Sequence, residues 1–321
     1  MAMGYNAGMH HIFVTGSLAY DRIMNFPGLF KDHFIPDKLH NINVAFTVDT
    51  PKREFGGTAG NIAYNLMLLE EKPHILSTAG NDFDAYKTWF AQNNIDSSTI
   101  EVYEDTSTAT AYIVTDQGDN QITAYSEGAD SKPYGKAITG SPEALAIVAP
   151  TAPGKMRMFA SRFRELSVPY LFDPGQRIPM LSGDELKEMI DGSEAVFVND
   201  YELQLVKTRT GWSEDDMVSK TSILIVTLGA QGSRILTKEG ETTVPAAKVR
   251  EAPDPTGAGD AYRAGFMKGR VLGLTTKQCV QLGSVVAAYA VEHHGTQTYR
   301  FTLPEVRTRY MESYNEDLVV S

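Results

Sequence analysis

"APDPTGAGDAYRAGF", residues 252–266, sets a proline–glycine loop directly ahead of an apolar helical run. Pro255 fixes its own φ, and Gly257, Ala258 and Gly259 let consecutive backbone amides converge where the helix begins. A helix N-terminus with free N–H groups and a favourable dipole is an anion site. Such donors can neutralise charge developing on a transferring phosphoryl group. Asp260 stands inside this loop. It is either a first-turn acid that steadies the helix dipole or a base that takes the proton of an attacking hydroxyl.

Outward from that loop, short apolar runs alternate with stretches of helical period. The runs are "HIFVTG" (11–16), "ALAIVAP" (144–150), "VPYLFDP" (168–174), "AVFVND" (195–200) and "SILIVTLG" (222–229). Residues 60–71, 155–166 and 184–192 carry the helical spacing. This alternation predicts an α/β fold, a mostly parallel sheet with helices on both faces. Ligands of such sheets sit at the carboxyl ends of the strands, where the runs turn polar. Residues 24–55 lack a helical period, and 108–126 read as a hairpin turning at 118–120. Both fit a small β-layer inserted at about 17–55 and 108–126 that closes as a lid, or else two ordinary edge extensions.

The net charge of −11 argues against nonspecific binding to nucleic acid or an anionic membrane. A single cysteine, Cys279, fits a reducing cytoplasm. No apolar run approaches about 18 residues, so no membrane span is expected. Residues 1–10 read as a flexible lead or cloning remnant, and 11–321 as one domain. P-loop, G-x-G-x-x-G, H-E-x-x-H, C-x-x-C and G-x-S-x-G signatures are absent. The seven histidines show no metal-ligand spacing.

"DPTGAGDAYRA" (254–264) resembles the C-terminal signature of the ribokinase-like (PfkB) family of sugar and nucleoside kinases. "FGGTAGNIAYNL" (55–66) resembles that family's N-terminal di-glycine signature, about 200 residues upstream as the family has it. The resemblance implies a ribokinase-like fold with a small β-sheet lid, ATP as phosphoryl donor and Mg²⁺ as its companion. It assigns Asp260 as general base and the amides of Gly257, Ala258 and Gly259 as the anion hole. Asp21, in "SLAYD" (17–21), matches the acid that binds vicinal hydroxyls, and Gly57 and Asn61 match substrate contacts. Asn199 and Glu202, in "NDYE" (199–202), match the pair that orders Mg²⁺ and phosphate. "VTLGAQGSRI" (226–235) resembles the ATP strand and turn, with Thr227 and Gly229 near the phosphates and Gly232 at the bend. Asp254, Thr256, Ala290 and Gly295 match a shell for a monovalent cation such as K⁺.

Two features depart from the pattern. Arg263 stands where sugar kinases of the family carry Asn, and either reaches a phosphate or faces solvent. His293 and His294 either stack on the adenine or form a solvated helix end.

Between Asp21 and Gly56 the chain is long and apolar, with Phe26, Phe30, Phe34 and Phe46. These rings suit a nucleobase slot, or else the core of the lid. With "NQITAY" (120–125) and "FDPGQ" (172–176), the segment resembles bacterial adenosine or broad-specificity nucleoside kinases, with Gln121 and Gln176 as polar contacts. The expected partners are a nucleoside and ATP, with a homodimer through the lid. A ribokinase- or fructokinase-like sugar kinase and a catalytically silent nucleoside-binding protein are the competing readings. An intact Asp260 argues against the silent protein, because a binder has no need of a base.

Overall fold

Strand β1 (Ile12–Thr15) sends Ile12 and Val14 into one apolar layer and Phe13 into the other. Period-two alternation with both faces buried is the mark of a central strand between two helical layers. The computed structural model describes residues 11–34, 43–118, 120–252 and 254–318. The remaining strands of the first half are β2 (Ala19–Asn25), β3 (Lys52–Gly56), β4 (Pro73–Leu76), β5 (Thr78–Gly80), β6 (Glu101–Tyr103), β7 (Ala109–Thr115) and β8 (Gln121–Ser126). Then follow β9 (Leu145–Val148), β10 (Tyr170–Phe172), β11 (Ala195–Asn199), β12 (Ile223–Thr227), β13 (Ser233–Thr237) and β14 (Gly240–Val244).

Eight of these form the main sheet, in the order β14-β13-β12-β11-β10-β9-β1-β4. It is parallel throughout except for the antiparallel β12–β13 and β13–β14 pairs. From β1 the chain moves to β4 on one side and returns at β9 on the other. That reversal opens a crevice at the strands' carboxyl ends.

The helices are α1 (Thr58–Leu68), α2 (Asp84–Gln92), α3 (Pro153–Glu165), α4 (Gly183–Ile190), α5 (Asp200–Thr210), α6 (Glu214–Lys220), α7 (Ala258–Val271), α8 (Thr276–Val291) and α9 (Leu303–Tyr314). Helices α1, α2, α7, α8 and α9 fill one layer with Val14, Ile147 and Phe197 of the sheet. Helices α3 to α6 cover the other face over Val148, Phe172 and Val198. The stretch expected as a helix over 60–71 is α1, which starts earlier at the left-handed Gly57 and ends before Glu70, whose φ is 64°.

A separate sheet, β3-β2-β7-β8, stands over the crevice. Its β7–β8 pair is the expected hairpin; Asp116 accepts from the amides of Gly118 and Asn120 in the turn, and Asp119 lies outside the described residues. Among the described residues between β2 and β3 the chain makes a short 3₁₀ turn, Phe30–Asp32; residues 35–42 of the Phe-rich segment lie outside the described residues. Phe26, Phe30 and Phe46 pack on one another with ring centres 4.9 to 5.8 Å apart, and Phe34 joins them at 6.2 Å from Phe46. The four rings therefore form a small core of this sheet's outer end.

Candidate active site

The turn after β1 and the start of α1 are tied together by short contacts. Ala59 N donates to Ser17 O at 3.0 Å, and Thr58 Oγ1 donates to Pro150 O at 2.9 Å. Only bare backbone fits here: a Cβ on Gly57, whose φ is 84°, would lie 2.5 Å from Ser17 O. A Cβ on Gly56 would overlap the Asp21 carboxylate. The di-glycine thus lets Asp21 on β2 lie flat against β3.

Below this, α7 begins at Gly57's counterpart, Gly257, again left-handed with φ 77°. The first turn of α7 and the di-glycine turn bound one cleft of about 580 Å³. Asp21, Gly57, Asn61, Thr256, Gly257 and Asp260 line it, so residues remote in sequence meet here. Asn61 Nδ2 donates to Asp260 Oδ2 at 2.8 Å. Burial nonetheless pushes the Asp260 carboxyl up to about 7, against that hydrogen bond. Burial, helped by Glu54 across the strand pair, likewise pushes Asp21 up to about 7.

At the far end of the cleft, Thr123 and Tyr125 of β8 face Gln176 and Arg177. The Arg177 guanidinium lies 5.0 Å from the centre of the Tyr125 ring and donates to Asp130 Oδ2 at 2.7 Å. Asp130 also receives Lys155 at 3.1 Å, and all three side chains are buried.

Some expectations change. Gln121 opens β8 opposite Thr115 and does not line the cleft, because it stands further out along the strand than Thr123. None of the four phenylalanines lines the cleft either, since each is spent on the others. Arg263 does not face solvent: it is 5% exposed and donates to Asp173 Oδ2 at 2.9 Å. His293 is exposed, its Nδ1 2.9 Å from Tyr289 O, and neither it nor the exposed His294 lines either cavity described here. The helix end is the solvated one.

A second cavity, about 370 Å³ and largely apolar, opens on the other side of α7. Thr227, Gly229, Gly232 and Ala258 line it, with Ala287 and Val291 of α8. Asn199 and Glu202 form a capping box at the head of α5, each side chain accepting the other's backbone N–H at 2.8 Å. Glu202 lines the first cleft, where burial raises its carboxyl above the usual range. Asp254 accepts from Thr256 N at 2.9 Å and Gly295 N at 3.1 Å, which gathers three of the four expected cation-shell residues. Ala290, next to last in α8, has its carbonyl accepting from His293 N at 3.2 Å.

Two buried groups join the site that the motifs do not name. Asp173, in "FDPGQ", does carry a signal, because it directly follows β10 and polar residues at a strand terminus draw attention. Gln297, 3% exposed, donates to Asn61 Oδ1 at 3.0 Å and belongs to no recognisable pattern. Among the described residues no helix is long and apolar enough to cross a membrane, and no group of three or more His, Cys, Asp or Glu is set to hold a metal ion by itself.

With this geometry in view, a model of the pfkB family of carbohydrate kinases matches residues 9–302. The nucleoside kinase of Methanocaldococcus jannaschii is 30% identical over 292 residues, 90% of this chain and 93% of that protein. The structure of Burkholderia thailandensis nucleoside kinase in complex with inosine superposes with a TM-score of 0.84 at 36% identity, covering 95% of this chain and 99% of that one. The same enzyme in complex with ADP-inosine gives 0.83 at 37% identity, covering 97% and 98%.

Proposed function

The chain belongs to the pfkB family of carbohydrate kinases, and on that footing we propose that it is an ATP-dependent nucleoside kinase. In this reading it moves the γ-phosphoryl group to the ribose 5′-hydroxyl of a purine nucleoside, adenosine being the one its likeness to adenosine kinases implies. One observation carries the choice of nucleoside over free sugar. The cleft does not stop at Asp21 but runs on to the half-exposed ring of Tyr125, backed by Arg177, with Gln176 beside it. A flat face and a few polar groups suit a base, whereas a bare sugar needs hydroxyl partners throughout. The M. jannaschii and B. thailandensis relatives support the same reading.

Asp21 accepts from the two ribose hydroxyls, and Asn61 holds Asp260 against the 5′-hydroxyl. Asp260 takes that hydroxyl's proton as the oxygen attacks phosphorus. The amides of Gly257, Ala258 and Gly259 receive the charge that gathers on the phosphoryl oxygens. ATP enters through the apolar cavity bounded by Thr227, Gly229 and Gly232. Four carboxylates, Asp21, Asp173, Glu202 and Asp260, line the cleft against two guanidiniums, and Asp173 Oδ1 is buried without a partner. That excess of negative charge suits Mg²⁺ accompanying the nucleotide; Glu202, with Asn199, would hold it through water, and it would neutralise the β- and γ-oxygens. Asp254, Thr256, Ala290 and Gly295 would hold a monovalent ion beside the anion hole. Pairing of two chains through the small sheet belongs to the same proposal: β8 is an edge strand exposed along its length.

The small sheet acts as a lid over the acceptor. Adenosine, inosine, ribose and fructose competing for limiting ATP test the reading. Burying roughly 100 Å² of base at about 25 cal/mol per Å² gives about 2–3 kcal/mol, or about 100-fold in kcat/KM over ribose. Asp260→Asn should lower kcat by about 10²–10⁴. Ribose or fructose consumed as fast as either nucleoside would leave the sugar kinase standing.

A further inference from the structure

Two residues line both cavities: Gly259 and Arg263. They form the wall between the acceptor cleft and the nucleotide cavity, where a phosphoryl group must cross. Among the described residues Arg263 is also the one charged side chain lining the nucleotide cavity. Its guanidinium is fixed on three sides. Nε donates to Asp173 Oδ2 at 2.9 Å, Nη1 donates to Gly259 O at 3.3 Å, and the guanidinium carbon lies 5.2 Å from the centre of the Phe197 ring. A Cβ on Gly259 would lie 3.2 Å from Nη1, so the cation packs directly on bare backbone in the first turn of α7.

The remaining nitrogen is different. Nη2 has no hydrogen-bond partner among the described residues, yet it is not one of the atoms sealed away from solvent. An arginine that served only to pair Asp173 would not need to present its other fork to the cavities. The second cation of the cleft, Arg177, spends both terminal nitrogens on Glu127, Met180 and Asp130.

We propose that Arg263 is a catalytic residue that binds the γ-phosphoryl group of ATP through Nη2. The inference rests on the kinase reading and deepens it. As the 5′-oxygen bonds to phosphorus, the bond from phosphorus to the β–γ bridging oxygen breaks and ADP leaves with that electron pair. The hydroxyl proton goes to Asp260. Arg263 keeps its proton throughout, because a guanidinium is always charged, and it balances the charge on the equatorial oxygens. Asp173 fixes where the cation stands, so no reorganisation is needed at the moment of transfer.

The test is nucleotide binding without turnover. Calorimetry would measure Mg-ADP and the non-hydrolysable Mg-β,γ-methylene-ATP on wild type, Arg263→Gln and Asp173→Asn. A γ-phosphoryl contact predicts that Arg263→Gln weakens the ATP analogue by about tenfold or more while ADP stays within about twofold. The same variant should lose on the order of 10²–10³ in kcat. Asp173→Asn keeps the cation and should keep the preference for ATP over ADP. Should Arg263→Gln fail to fold, the double variant with Asp173→Asn replaces the ion pair by a neutral hydrogen-bonded one and allows the same measurement. Equal weakening of both nucleotides, or of neither, overturns the role of Arg263 alone. A wild-type chain that binds no adenine nucleotide overturns the kinase reading, and this inference with it.

Discussion

Trp89 Nε1 can only donate, and it donates to Gln297 Oε1 at 2.9 Å. That contact turns the Gln297 amide so that its NH₂ group faces Asn61 Oδ1 and Tyr86 Oη, at 3.0 and 2.7 Å. Asn61 is left with its own NH₂ aimed at Asp260. Two amides in series thus deliver a donor, and not an acceptor, to the carboxylate, which favours its charged form against the push of burial. Tyr86 Oη completes the set by donating to Gly56 O at 2.8 Å, so the same network braces the di-glycine turn. Gln297→Met removes the orienting group while Asp260 stays in place. The acid limb of kcat/KM, set near pH 7 by Asp260, should move to higher pH, with the deficit at neutral pH recovering at alkaline pH. A loss that is the same at every pH would mean that Gln297 merely packs. Asp260 and Asn61 were legible because each sits in a signature whose glycines announce close backbone approach. Gln297 was not, because its partner lies 236 residues away and no local spacing marks it.

Elements show the same division. Five parallel strands of the main sheet, β1 and β9 to β12, were readable because both faces are buried, giving apolar runs such as "AVFVN" that end in a polar residue; β4, "PHIL", was not, since His74 interrupts its four residues. The β13–β14 pair was not, since β14 is exposed except at Val244 and lacks that apolar run. Helix α8 is buried on nearly every side, so no polar stripe reveals its period. The rings of the Phe-rich segment suit a nucleobase slot by their chemistry, and packing decides instead for a core: the rings cover one another. What anchors the inner end of that sheet was invisible. The 3₁₀ turn after β8 (Gly128–Ser131) carries Asp130, 1% exposed, between Lys155 of α3 and Arg177. Thr151 donates to the same carboxylate, and Lys155 also reaches Thr78 Oγ1 at 2.7 Å. Removing one partner of such a set leaves buried charge uncompensated. Asp130→Ala should therefore cost about 3–5 kcal/mol in urea unfolding. Because Arg177 backs Tyr125, the variant should also raise KM for the nucleoside more than for ATP. Full stability in that variant would show that Lys155 and Arg177 find water instead.

Across the whole molecule, the cleft concentrates acids whose charge the fold resists. Asp21 and Asp260 are both pushed up to about 7 from an ordinary value near 3.8, and burial raises Glu202 and Glu54 as well. Stability changes with pH as the proton count of the unfolded chain minus that of the native one. Between about pH 4 and 7 the unfolded chain has released these protons and the native protein still holds them. The difference is negative, so these groups make the ligand-free protein less stable as pH rises through that window. His74, whose ring is held below its usual range by burial, works in the opposite sense in the upper part of the same window. The carboxyls pulled down by local hydrogen bonds, such as Asp96 and Asp216, change charge below it. A comparison with Asp260→Asn isolates one group from the rest. Thermal unfolding of the ligand-free wild type from pH 5 to 7.5 should fall more steeply than that of the variant, so that the variant overtakes it toward neutral pH. This is the expected cost of keeping a base ready in a partly dry site, a stability sacrifice that bound substrate and nucleotide would offset. Parallel curves for the two proteins would mean that Asp260 is already fully charged at pH 5, and the acid limb of the rate profile would then have to be sought in Asp21.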